Sequence, residues 1–210
     1  MKRAKTYEGI PGSLTLETAA GWVKPRVSEK RFRHITGVVE MARRFSPVAG
    51  CDSFLAELAS WLHDACKEVK DRDLVARAER FGLPLTEIER AQGHLLHGPV
   101  AALTVKKELG VTNQDVLDAI SQHTLGFVPM SPLSKVVFLA DCLEPGRPVD
   151  YTGPIWLALD LEGKRDIDHA LVVASDLAIV HLVKSGKPIH QRTVEVRNYY
   201  LSLVAGSQDS

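Results

Sequence analysis

Residues 28–45 read Ser-Glu-Lys-Arg-Phe-Arg-His-Ile-Thr-Gly-Val-Val-Glu-Met-Ala-Arg-Arg-Phe, and their pattern decides the fold class. Phe32, Ile35, Val38, Val39, Ala42 and Phe45 recur at three- and four-residue steps, which places them on one face of an α-helix. Ser28 suits the N-cap, although Arg31 rather than a glutamate stands at the third helical position and leaves the capping box incomplete. Pro47 and Gly50 are expected to end the segment. The same periodicity predicts helices over 54–66, 73–81, 98–109, 114–122, 132–143 and 166–183, with a last short one over 193–203. Asp52 or Ser53 suits the cap of the second and Asn113 that of the fifth. Pro145, Gly146, Pro148, Gly153 and Pro154 crowd one span and predict a loop. No run alternates in the manner of a strand, and no internal repeat is present, so the expected fold is an all-α helical bundle. Residues 1–27 have weak periodicity and read as an N-terminal extension; 28–187 form the main domain and 188–210 a C-terminal tail carrying the short helix.

Composition narrows the function classes. The chain has 210 residues, 45% of them hydrophobic and 25% charged, which is globular composition with room for a sizeable core. Lys and Arg total 26 against 26 Asp and Glu, so no net field favours nucleic acid or an anionic membrane. Cys51, Cys66 and Cys142 are odd in number and lack close pairing, as expected of a reduced, cytoplasmic protein. The basic start, Met1 to Thr6, leads into Tyr7-Glu8-Gly9 rather than an apolar signal core. The apolar stretch 171–183 is interrupted by Ser175, Asp176 and His181 and is too short to span a bilayer.

The chemistry concentrates in four positions: His34, the adjacent pair His63-Asp64, and Asp141. Asp141 interrupts the apolar run 136–140, where an ionised carboxylate is costly unless paired or bound to a cation. Two imidazoles and two carboxylates form a mixed nitrogen and oxygen set suited to iron, manganese, zinc or a similar divalent ion. The adjacent pair is expected on the side of a helix facing a cleft, since successive helical residues point about 100° apart. Arg31 lies about one turn before His34, Lys67 follows Asp64 by three residues, and Arg147 follows Asp141 by six. Cations beside metal ligands are what a phosphate ester or anhydride requires. His97 and His123 stand at expected helix ends nearby.

The order His34, His63-Asp64, Asp141 resembles the signature of HD-domain metal-dependent phosphohydrolases. The surrounding blocks, Arg31 to His34, Trp61 to Lys67, His97 to Val100, Asp118 to Thr124 and Lys135 to Arg147, are more particular and resemble the YqeK family. That resemblance covers about residues 25 to 185. It implies an HD fold over 28–187 and symmetrical hydrolysis of diadenosine tetraphosphate to two ADP by a metal-activated water. It also implies an iron-containing site, with manganese or zinc as alternatives and one or two ions. His34, His63, Asp64 and Asp141 match its metal ligands. Arg31, His97, His123 and Arg147 match positions that hold nucleotide phosphates or, for the two histidines, a second ion. Asp64, Lys67 and Arg147 are assigned to catalysis: Asp64 to handle the water's proton, Lys67 and Arg147 to stabilise oxygen charge. The rivals are another HD phosphohydrolase or phosphodiesterase and a non-catalytic nucleotide-binding HD module. The partners expected are a dinucleoside polyphosphate and ADP, with a homodimer contact through the late apolar helix as a further expectation. His94, His169, His181 and His190 are expected to be structural, with His181 packed, and Cys66 and Cys142 to be small packing residues.

Overall fold

A computed structural model describes residues 6–159 and 166–208, and these are helical with no strand among them. In chain order the helices are α1 Leu16–Val23, α2 Glu29–Ala49, α3 Ser53–Leu62, α4 Asp71–Arg80, α5 Glu87–Ala91, α6 His97–Leu109, α7 Gln114–Gln122, α8 Pro132–Cys142, α9 Val149–Leu159, α10 Ile167–Lys184 and α11 Gln191–Gln208. Short 3-10 turns cover Lys24–Arg26 and Gly93–Leu96.

The expected caps are in place. Ser28 accepts the Arg31 N–H, Asp52 accepts those of Phe54 and Leu55, and Asn113 accepts that of Val116. Each such cap stabilises by about 1 kcal/mol. α3 lies centrally and touches α1, α2, α6, α7 and α8, while α2 and α7 both pack on α8. Ile35, Leu58, Leu62, Ile120 and Leu139 are essentially inaccessible there. Burying a side chain of that size contributes roughly 1.5–3 kcal/mol. In the outer group, α10 packs on α8, α9 and α11. No helix of the described residues is long and apolar enough to cross a membrane.

Four expectations need correction. α2 runs through Pro47 to Ala49 and stops at Gly50. Proline cannot bond the carbonyl four residues back, and the Ser46 hydroxyl donates to that Arg43 carbonyl instead, at 3.3 Å. The Pro/Gly-rich span is only partly a loop. α9 starts at Val149, with the Tyr151 and Thr152 N–H groups bonded to the Pro148 carbonyl. Pro154 sits close enough to the helix start that it removes just one ladder bond, to a first-turn carbonyl. The short terminal helix is in fact 18 residues, and its Val196 and Tyr200 belong to the core; the Tyr200 hydroxyl accepts the Met130 N–H at 2.9 Å. Finally, His181 is exposed rather than packed.

Candidate metal centre

α3 ends at Leu62, so the His63-Asp64 pair occupies a series of turns, not the side of a helix as expected. The cause is local. The His63 Nδ1–H donates to the Ser60 carbonyl at 2.6 Å, occupying the acceptor that the Asp64 N–H would use if the helix continued. The same arrangement recurs at two other helix ends. His123, the C-cap of α7, donates from Nδ1 to Ile120 at 2.8 Å, and His97, opening α6, donates from Nδ1 to His94 at 2.5 Å. A carbonyl only accepts, so each bond fixes the proton on Nδ1 and leaves Nε2 as a bare lone pair. Backbone carbonyls commonly orient metal-ligating histidines this way.

The bare nitrogens converge on Asp64. Its Oδ1 lies 3.2 Å from His97 Nε2 and 3.5 Å from His123 Nε2; its Oδ2 lies 3.5 Å from His63 Nε2 and 3.6 Å from His34 Nε2. His34, carried by α2, also places Nε2 at 3.0 Å from Asp141 Oδ1 on α8. His97 and His123 face each other at 2.9 Å between Nε2 atoms. That approach depends on Gly98, because a Cβ there would stand 2.9 Å from the Ser121 carbonyl oxygen and 3.2 Å from the His123 ring.

Two groups in this cluster have donor atoms mutually within 4.8 Å: His34, His63 and Asp141; and His63, Asp64 and His123. His34 Nε2, His63 Nε2 and Asp64 Oδ1 are buried without a hydrogen bond. Leaving such atoms unpaired is costly. Bonds of about 2.0–2.2 Å to one transition-metal ion separate neighbouring donors by roughly 3 Å or a little more. The spacings here meet that requirement, and the residues fit a divalent ion.

Electrostatics agree. Burial pushes the pKa values of His63 and His97 down to about 4, so both are neutral and able to ligate at neutral pH. Burial alone would raise the Asp64 and Asp141 carboxyls. It is outweighed at Asp64 by the close imidazoles of His63, His123 and His97, and at Asp141 by His34 and Arg147; both stay well below the usual carboxylate range.

The cations lie at the rim. Arg31 donates to Asp64 Oδ2 at 2.9 Å. Arg147 grips Asp141 twice, at its carboxylate (2.8 Å) and its carbonyl (3.1 Å). Lys67 Nζ is 3.4 Å from His97 Nε2. Every site residue named from sequence is therefore gathered into one cluster. Arg31, His34 and Arg147 also line a cleft of about 920 Å³. Two neighbours were not assigned from sequence. Glu144 holds His34 Nδ1 at 3.1 Å, and the Thr124 hydroxyl lies 3.1 Å from Nε2 of both His97 and His123. An acid following buried Leu143 at the end of an apolar helix was the available signal for Glu144; Thr124 offered none. Cys66 and Cys142 behave as expected: both are free, and burial raises both thiols, Cys142 to about 12.

Comparison with known proteins places this arrangement. The HD domain family matches residues 31–146. The chain is 35% identical to the symmetrical bis(5'-nucleosyl)-tetraphosphatase of Halalkalibacterium halodurans, covering 85% of this chain and 93% of that one. It is 31% identical to the Bacillus subtilis protein of the same name, over 92% of this chain and 100% of the relative. A crystal structure from Clostridium acetobutylicum, described as a predicted HD superfamily hydrolase involved in NAD metabolism, superposes with a TM-score of 0.84 at 29% identity, covering 91% of this chain and 99% of that one. Fold and donor set together are those of a metal-dependent helical hydrolase. The chain belongs to the HD domain family, in the YqeK branch to which the tetraphosphatases are similar.

Proposed function

We propose that the protein hydrolyses diadenosine tetraphosphate symmetrically, yielding two ADP. The observation that carries this is the set of buried, unpaired donors on His34, His63 and Asp64, rimmed by Arg31, Lys67 and Arg147. The full-length likeness to proteins named for that activity supplies the substrate. His34, His63, Asp64 and Asp141 would hold the ion, and a second would use His97 and His123. Iron is the metal proposed, with manganese and zinc compatible with the same donors. Such an ion acts as a Lewis acid and lowers the pKa of water from ~15.7 toward ~7.

The chain's own residues carry the remaining tasks. Asp64 Oδ1 accepts a proton from the attacking water, while Arg31 on Oδ2 holds the carboxylate aimed. The water oxygen bonds to one central phosphorus and the bridging P–O bond breaks, its electron pair leaving with the second ADP. Arg147 uses Nε and Nη2 on Asp141, so Nη1 remains to balance phosphate charge, and Lys67 acts likewise from the other side. Three free cysteines suit a reducing cytoplasm. The test is product analysis: incubation of the metal-loaded protein with diadenosine tetraphosphate should give ADP alone. AMP together with ATP would contradict symmetric cleavage.

A further inference from the structure

We propose that a second hollow, among α8, α9, α10 and α11, seats one of the substrate's two nucleosides, so that the polyphosphate is bracketed rather than approached from one side. This rests on the tetraphosphatase reading and adds a subsite to it. The hollow has a volume of about 490 Å³, within the roughly 300–1,000 Å³ of small-molecule sites. Leu95, Phe138 and Leu182 supply apolar wall, and Ser175, His181 and Thr193 supply a few polar groups. A flat, weakly polar base is matched by that mixture, since apolar walls with sparse polar groups are how such rings are held.

Its position is the second argument. Thr124 lines the hollow, and its hydroxyl is the one 3.1 Å from Nε2 of both His97 and His123. Arg147 and Pro148 line both this hollow and the large cleft on the His34 side. The two spaces therefore both border the metal centre and meet at Arg147 and Pro148. They differ in character: Lys30, Arg31 and Arg33 line the large cleft, whereas among the described residues Arg147 is the sole Lys or Arg of the second. Cleavage at the central bond leaves a nucleoside diphosphate on each side, so a nucleoside must lie two phosphates away in either direction. The phosphates suit the charged side and the centre, and the apolar hollow suits a base.

The experiment compares diadenosine tetraphosphate with inorganic tetraphosphate, which keeps the phosphate chain but lacks both nucleosides. The wild-type protein should favour the dinucleoside compound in kcat/KM by about tenfold or more, as expected when binding of a remote group is lost. Ala178→Phe, which fills the hollow from α10, should bring that ratio down toward one. Thr193→Phe, from α11, makes the same test if the first variant does not keep the wild-type unfolding midpoint. Equal kcat/KM for both compounds in wild type, or a folded variant that loses nothing or loses both activities equally, overturns the subsite. Failure of wild type to release ADP from the dinucleoside compound would instead overturn the function itself.

Discussion

His34 is held by a carboxylate where the other histidines of the centre are held by carbonyls: its Nδ1 lies 3.1 Å from Glu144 Oε1. Glu144 in turn accepts the Gly146 N–H at Oε2, at 2.7 Å. It is fitted between two glycines, since a Cβ on Gly37 or on Gly146 would stand 3.0 Å from its carboxylate oxygens. A carboxylate behind a ligating imidazole raises ligand basicity and fixes ring orientation. The acids around it raise the His34 pKa above its ordinary value despite burial, Asp141 more strongly than Glu144.

Glu144→Ala should therefore weaken metal binding by about 10–100-fold. Glu144→Gln, which keeps an acceptor oxygen, should lose less. Metal titration of the purified variants with an optical or mass-spectrometric readout measures both, and wild-type affinity in Glu144→Ala would show that the contact does not support the ligand.

Asp64→Asn keeps the shape of the side chain but removes its charge, and should lower kcat by about 10²–10⁴-fold. Metal content measured on the same sample separates a lost ion from a lost proton acceptor. Near-normal turnover with metal bound would remove Asp64 from the chemistry.

Gly98→Val should destabilise the fold by roughly 1–3 kcal/mol, because its Cβ must enter space closed by the Ser121 and Ile120 carbonyls. Thermal unfolding reads this loss. A midpoint equal to wild type would mean that α6 and α7 separate at no cost.

Chelation should lower the unfolding midpoint, and added metal should restore it. Free metal at 100 times its Kd stabilises by about 2.7 kcal/mol, and 1 kcal/mol moves the midpoint of a domain this size by about 2–4 °C, so a fall of roughly 5–10 °C is expected. An unchanged midpoint would argue that the buried lone pairs cost nothing when left bare.

The bundle's inner helices were legible because burial imposes a period on the letters. Ile35, Val38 and Ala42 on α2, and Leu58 and Leu62 on α3, had to repeat as they do to face one core. The candidate ligands were legible because charged or titratable groups interrupted those runs. What escaped has local causes. α9 was hidden by Pro148 and Pro154, whose usual meaning as breakers fails near a helix start. The end of α3 was hidden because Ala65 and Cys66 prolong the apolar pattern after the backbone has turned. Pro47 misled because the serine before it satisfies the carbonyl that proline abandons. Glu144 escaped assignment because its role depends on Gly37, a neighbour in space supplied by α2 rather than in sequence.

The imidazoles of His63 and His123 are each tied to the last turn of a different rod, and that of His97 to the short turn leading into a third. A slip of any one rod along its axis would displace one nitrogen and spare the other two. A paramagnetic ion seated there would act as a strain gauge for the whole assembly, registering how three cylinders slide against each other long before any of them unwinds.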